Sequence, residues 1–227
     1  CGAGGHTEEI WWRSFTTEEL EALVEESHAF GKRVATHSHT AESVIMALKA
    51  GVDTIEHGIY MDDEAVAMLA DSNAVLVPTM SAHSQRGVDH RKKAGSPPEV
   101  IRKFETAMRS GHESLQKAIA AGVTIAIGTD TGRGLREYFG KNAYELGQMV
   151  EGGMSPMDAI VAATKNGAIA LGQEKDLGTL EAGKLADLLV VDGDPLADIS
   201  LLEDTSKIEL ILKGGAVVVD RRPDPAP

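Results

Sequence analysis

Three short apolar runs in this chain end on an imidazole or a carboxylate, and that pattern narrows the available folds more than any other feature. Val34-Ala35-Thr36-His37-Ser38-His39 is the first, Thr54-Ile55-Glu56-His57-Gly58 the second, and the run from Val123 to Asp130 the third. Each reads as a buried strand. Helical stretches separate them, so they read as strand–helix units of a parallel sheet. A barrel of such units gathers functional side chains at the carboxyl ends of its strands.

The intervening segments fit that scheme. Residues 16–30 read as a helix with Thr17 as its cap and Gly31 as its stop. Strand 33–37 follows, then Ala41, Val44, Ile45 and Leu48 at helical spacing, closed by Gly51, then strand 53–57. Asp62, Asp63 and Glu64 place negative charge where a helix start favours it, and Val66, Leu69 and Ala70 give that helix a buried side. Val75 to Thr79 reads as a fourth strand without a ligand. Residues 81–95, polar and with Gly87 and Gly95, read as a long loop. Ser96-Pro97-Pro98-Glu99 matches a capping box for a helix ending at Gly122. A glycine-rich loop over 131–140 and helices near 142–150, 159–164 and 168–171 come next, with Ser155 opening the second of them.

After Gly172 the pattern changes to short β-type runs at 188–191, 208–212 and 216–219, with Gly214-Gly215 as a hairpin turn. The charged, proline-containing tail 221–227 reads as disordered. A doubly wound open sheet is the competing architecture, and the β-rich ending disfavours it.

The 227 residues suffice for one substantial core and a small appendage. A net charge of −13 argues against nucleic acid and anionic membranes as partners. No run of about 18 apolar residues is present, so no membrane span is expected. Cys1 is the sole cysteine, which precludes an intrachain disulfide and suits a reducing compartment; a cytoplasmic location is favoured.

Neighbouring parallel strands lie roughly 5 Å apart, so ligands at their ends can converge on one ion. His37 and His57 are 20 residues apart, the interval of one strand, one helix and two short loops. Asp130 comes two units later. Imidazole nitrogen and carboxylate oxygen suit a divalent cation, Zn²⁺ best. Such an ion acidifies water into a nucleophile, and a carboxylate beside it can carry the proton to a leaving nitrogen, the role open to Asp130. A buried histidine is otherwise a hydrogen-bonded core residue, and an Asp after a strand a cap. His39 falls on the same strand face as His37 and is a substrate-contact candidate. His6, His28, His83, His90 and His112 read as surface or packing residues, and Trp11, Trp12 and Arg13 as packing at a helix entry. The glycines at 131–134 and 152–153 lack a phosphate-loop pattern.

The motifs V-A-x-H-x-H, A-G-V-D-T-I-E-H-G, L-V-P-T, A-G-V-x-I-A-I-G-T-D-T-G, M-S-P-M-D-A-I-x-A-A-T-x-N and E-A-G-K-L-A-D-L-L-V-V-D-G-D-P-L resemble the amidohydrolase superfamily. The likeness is to its imidazolonepropionase-like and Xaa-Pro or Xaa-Arg dipeptidase (prolidase-like) branch, from about residue 16 onward. It implies an α/β fold, the C-terminal half of a distorted (β/α)8 TIM barrel with part of a small β-sandwich. Residues 1–172 would form strands five to eight of the barrel, 173–220 the partial sandwich and 221–227 a tail. His37, His57 and Asp130 would be the metal ligands, Asp130 also the catalytic proton shuttle, with one or two Zn²⁺ ions as cofactor. The implied reaction is hydrolysis of a C–N bond in an amide, a cyclic amide or a dipeptide.

The strand-one H-x-H pair and strand-four lysine of that pattern have no counterpart here. Cys1-Gly2-Ala3-Gly4 is similar to the turn just after strand four, so the chain is expected to begin past the lysine position. Such a chain would leave strand 33–37 as an open edge, through which it would dimerise or bind a missing half. The alternative to an active hydrolase is therefore a non-catalytic portion that keeps the fold and needs the other half.

Overall fold

The computed structural model describes residues 10–130 and 139–223. Cys1 to Gly4, His6, most of the 131–140 loop and the end of the tail lie outside the described residues.

Helix α1 spans Thr17–Ala29, and its cap is Thr16, one residue earlier than the sequence suggests. The Thr16 hydroxyl accepts from the Glu19 N–H while the Glu19 carboxylate accepts from the Thr16 N–H, a complete capping box. Strand β1 is Ala35–Thr40, running three residues past the expected end. Thr40 then caps α2, Ala41–Ala50, which Gly51 ends in the left-handed conformation at φ 86°. Strand β2 is Thr54–Tyr60, α3 is Asp63–Ala70 with Asp62 as its cap, and β3 is the short Val75–Val77.

These strands pair parallel in the order β1-β2-β3. The register sets His37 opposite Glu56 and Ser38 opposite His57. The run 123–130 joins at one point only, a parallel bridge between Leu76 and Ile125, with the Leu76 N–H donating to Thr124 O and the Ala126 N–H to Leu76 O. It is a fourth line of the sheet rather than the full strand expected. Among the described residues β1 is an edge of this sheet.

Residues 81–95 are not a loop. A 3-10 helix spans Met80–His83, and α4 follows over Gln85–Lys93 with Ser84 as its cap. Gly87 reads as a loop former, yet it sits buried in α4 where a Cβ would meet Ala82 O at 2.8 Å. Close approach, not turn geometry, requires it. Helix α5, Pro98–Ala120, starts after Pro97 without a side-chain cap, so the Ser96 box does not form. Helices α6 (Tyr144–Glu151), α7 (Pro156–Ala163) and α8 (Lys165–Ala170) complete this part.

Ile55 and Leu76 from the sheet, Val44 and Ala47 from α2, Leu69 from α3, Leu115 and Ala118 from α5, and Met149 from α6 share one core. Strands β4 (Leu188–Val191), β5 (Ile208–Lys213) and β6 (Ala216–Asp220) form a separate antiparallel sheet in that order. Its β5–β6 turn is Gly214-Gly215, both at positive φ as such a two-residue turn demands. Arg221 belongs to this sheet rather than to a disordered tail: its N–H donates to Glu209 O and its guanidinium to Thr205 O and Ile208 O. The architecture is α/β, a parallel sheet with helices and a small antiparallel sheet.

Candidate active site

His57 occupies a conformation that side chains avoid, with φ 80°. Thr79 at φ 52° and Asp130 at φ 47° are the other non-glycine residues with positive φ among the described residues. His57 lies within β2 where its pairing with β3 stops, Thr79 lies just past β3, and Asp130 closes the neighbouring 123–130 run. Backbone strain of this kind costs about 1–3 kcal/mol per residue and persists where surrounding contacts hold it, most often at functional sites. Gly58 follows His57 at φ 59°, where a Cβ would meet Leu76 Cδ1 at 2.9 Å, so any other residue would be strained there.

The turn aims the His57 ring at β1. Its Nε2 lies 2.6 Å from Nδ1 of His37, and its Nδ1 lies 2.7 Å from the Thr79 hydroxyl. The His39 ring stacks on His57 with centroids 4.3 Å apart, and His37 stacks at 4.9 Å. His83, expected at the surface or in packing, joins this group edge-on, 6.1 Å from His57 and 6.5 Å from His39, with Phe104 stacked on it. The signal for it was its place just past a strand end.

Burial favours the uncharged form of the His57, His39 and His83 rings. It pushes His57 down to about 2, assisted by His39, His83 and His37. It pushes His39 down to about 3, assisted by His83 and His37, and His83 to about 4, assisted by Arg91. Neutral imidazole is the form that offers a lone pair. His39 is 4% exposed and its Nδ1 has no hydrogen-bond partner.

Two carboxylates border the cluster. Burial raises Asp130, opposed by His37. Burial also raises Glu56, which accepts a 2.8 Å bond from the Thr54 hydroxyl and is repelled by Asp130. Asp130 is thus within electrostatic reach of His37 and Glu56. Among the described residues, however, no three His, Cys, Asp or Glu side chains form a group that could hold a metal ion. The structure brings His37, His39 and His57 together and leaves Asp130 outside their contacts.

Two residues here escaped sequence reasoning. Thr79 follows a strand in the same position as His57 and Asp130, a signal that was available. Glu145 has none: it is 0% exposed, and its two oxygens accept from the Met80 and Ser81 N–H groups at 2.6 Å each.

The arrangement defines a class, a parallel-sheet protein with imidazoles converging beside the carboxyl-terminal half of its sheet. A sequence model of the amidohydrolase family matches residues 6–218, and the chain belongs to that family. Ochratoxinase from Aspergillus niger is 34% identical over 203 residues, covering 88% of this chain and 41% of that protein. A solved prolidase complexed with N-methylphosphonate-L-proline superposes with TM-score 0.86 at 29% identity, covering 96% of this chain and 53% of the prolidase. A Xaa-Pro dipeptidase with bound methionine superposes with TM-score 0.79 at 39% identity, covering 90% and 49%. The chain spans about half the length of these relatives.

The family is typically metal-dependent. The residues present fit a metal in kind: imidazole nitrogens of His37 and His57 meet 2.6 Å apart with a carboxylate in electrostatic range. They fall short in number, since a zinc site takes four ligands and at least three from protein.

Proposed function

We propose that the chain carries the carboxyl-terminal ligand set of a metal-dependent amidohydrolase that cleaves a C–N bond. The observation that carries this is the meeting of His37 Nδ1 and His57 Nε2 across the paired parallel strands β1 and β2. Residues 1–172 would correspond to strands five to eight of a distorted (β/α)8 barrel and 173–220 to part of a β-sandwich.

His37, His57 and Asp130 would hold a divalent cation, with Zn²⁺ favoured by two nitrogen ligands. When bound, such an ion supplies Lewis acidity and lowers the pKa of water toward neutrality. Thr79 orients the His57 ring through Nδ1. Asp130 takes the proton of the attacking water and returns it to the leaving nitrogen. His39, with an unpaired Nδ1 beside the cluster, donates to or accepts from the substrate. Amides, cyclic amides and dipeptides of the Xaa-Pro or Xaa-Arg type are the substrate class, supported by the prolidase and dipeptidase similarity.

A second reading is a chain that keeps the fold without turnover. The lack of a three-ligand group among the described residues favours it. Calorimetric Zn²⁺ titration of the chain and of His57→Ala, followed by a dipeptide and amide panel, separates the two. The hydrolase reading expects stoichiometric Zn²⁺ binding that His57→Ala removes, together with hydrolysis. Binding without hydrolysis supports the second reading. Binding unaffected by His57→Ala overturns the ligand assignment.

A further inference from the structure

A buried carboxylate with no part in that reaction stands behind the imidazole cluster. The 3-10 helix Met80–His83 begins at Thr79, a residue type that ordinarily caps a helix with its own hydroxyl. Here it makes no cap bond. Its backbone is left-handed, and its hydroxyl meets His57 Nδ1 instead, 2.7 Å away. The first two N–H groups of the 3-10 helix, on Met80 and Ser81, would then lie buried and unpaired. Glu145, 65 residues away in sequence from Met80, fills that role with one carboxylate oxygen for each N–H, both at 2.6 Å. Two successive backbone N–H groups facing one carboxyl group form a nest, and both bonds are short. Glu145 also stands in the first turn of α6, where the helix dipole favours negative charge.

We propose that Glu145 is a positioning residue for His57, acting through Thr79. By capping the 3-10 helix from outside, it frees the Thr79 hydroxyl and holds the Thr79 backbone at positive φ. The hydroxyl then accepts from Nδ1–H of His57, and Nε2 is left bare toward His37. The path runs from α6 through Met80 and Ser81 to Thr79 and on to the imidazole. Its catalytic meaning rests on the hydrolase reading above.

The test reads the His57 tautomer in the ¹⁵N-labelled, metal-free full chain by long-range ¹H–¹⁵N spectroscopy of the imidazoles. Wild type is expected to show Nδ1 protonated and Nε2 bare, with slow exchange of the Nδ1 proton. Thr79→Val and Glu145→Ala are expected to mix the tautomers and speed that exchange roughly tenfold, the factor for losing one net hydrogen bond. Glu145→Gln, nearly isosteric, keeps the test open where Glu145→Ala does not fold. It loses the effect in part, because its amide NH₂ cannot accept from the second N–H. Met149→Ala, at a fully buried apolar site in the same helix, controls for general loosening and is expected to keep the wild-type signal. An unchanged His57 signal in both Glu145 variants overturns the proposal. So does a wild-type His57 protonated at Nε2, or a Met149→Ala variant that loses the signal equally. Absent hydrolysis in a separate assay defeats the hydrolase reading and leaves this result standing.

Discussion

The Thr79 hydroxyl sits 2.7 Å from Nδ1 of His57, and both residues hold positive φ, one within β2 and the other just past β3. Thr79→Val preserves the shape and removes the hydroxyl. It leaves a buried imidazole nitrogen unpaired, so the chain is expected to lose about 1–3 kcal/mol. Thr79→Ser keeps the hydroxyl and drops a methyl, and it should stay well above the valine variant in stability. Urea denaturation of both checks this; equal midpoints would mean that the hydroxyl contributes nothing.

Part of this site was legible in the sequence. His37, His57 and Asp130 stand at the ends of β-type runs, and the helical interval between the first two predicts neighbouring parallel strands, which β1 and β2 are. Strand limits were less legible, because β1 continues to Thr40, the residue that also caps α2. The 3-10 helix and α4 carry a loop-like sequence because they are polar and contain Gly87, whose requirement comes from the approach of Ala82 O. Glu145 resembles any acid in the first turn of a helix. Its partners are 64 and 65 residues away, and only the folded chain brings them together.

Glu145 also gives the chain a specific pH dependence. Burial raises it to about 7 against the two N–H bonds that favour its ionised form. A carboxyl group raised on folding contributes stability that is full below the unfolded value of 4.5 and is lost as pH rises toward about 7. The loss over that window is about 3 kcal/mol at 1.36 kcal/mol per pKa unit. Glu145→Gln cannot titrate, so the stability difference between wild type and variant should shrink from pH 4.5 to 7 and then stay level. Denaturation curves across that range read the difference directly. A difference independent of pH would place Glu145 at an ordinary carboxylate value.

Gly128 is fixed by packing rather than by backbone conformation. A Cβ there would lie 2.2 Å from Val77 Cγ1, inside any tolerable contact, and Val77 is a buried residue of β3. Gly128→Ala is expected to cost about 1–3 kcal/mol by forcing the 123–130 run away from the sheet. The Val77 Cβ is 3.8 Å away, an ordinary contact. Val77→Ala should therefore absorb the added methyl, and the double variant should be more stable than the sum of the single changes implies. Additive losses in thermal or urea unfolding would show that the strain lies elsewhere.

Helix α5 offers a comparison between a buried and an exposed polar contact. The Ser114 hydroxyl donates to Ile59 O at 2.8 Å and accepts from the Met61 N–H at 3.0 Å, and Ser114 is 4% exposed. It holds the end of β2 just beyond the turn at His57 and Gly58. Ser114→Ala leaves both backbone groups unpaired away from water, and a loss of roughly 2 kcal/mol or more is expected. One turn further on, Lys117 meets Asp63 at 2.7 Å, but the Asp63 side chain is 92% exposed. Solvent screens that pair, so Lys117→Ala should change stability far less despite the shorter contact. Backbone amide exchange of Gly58 to Met61 adds the local readout: faster in Ser114→Ala, unchanged in Lys117→Ala. Equal effects of the two variants would show that burial does not set the worth of these contacts.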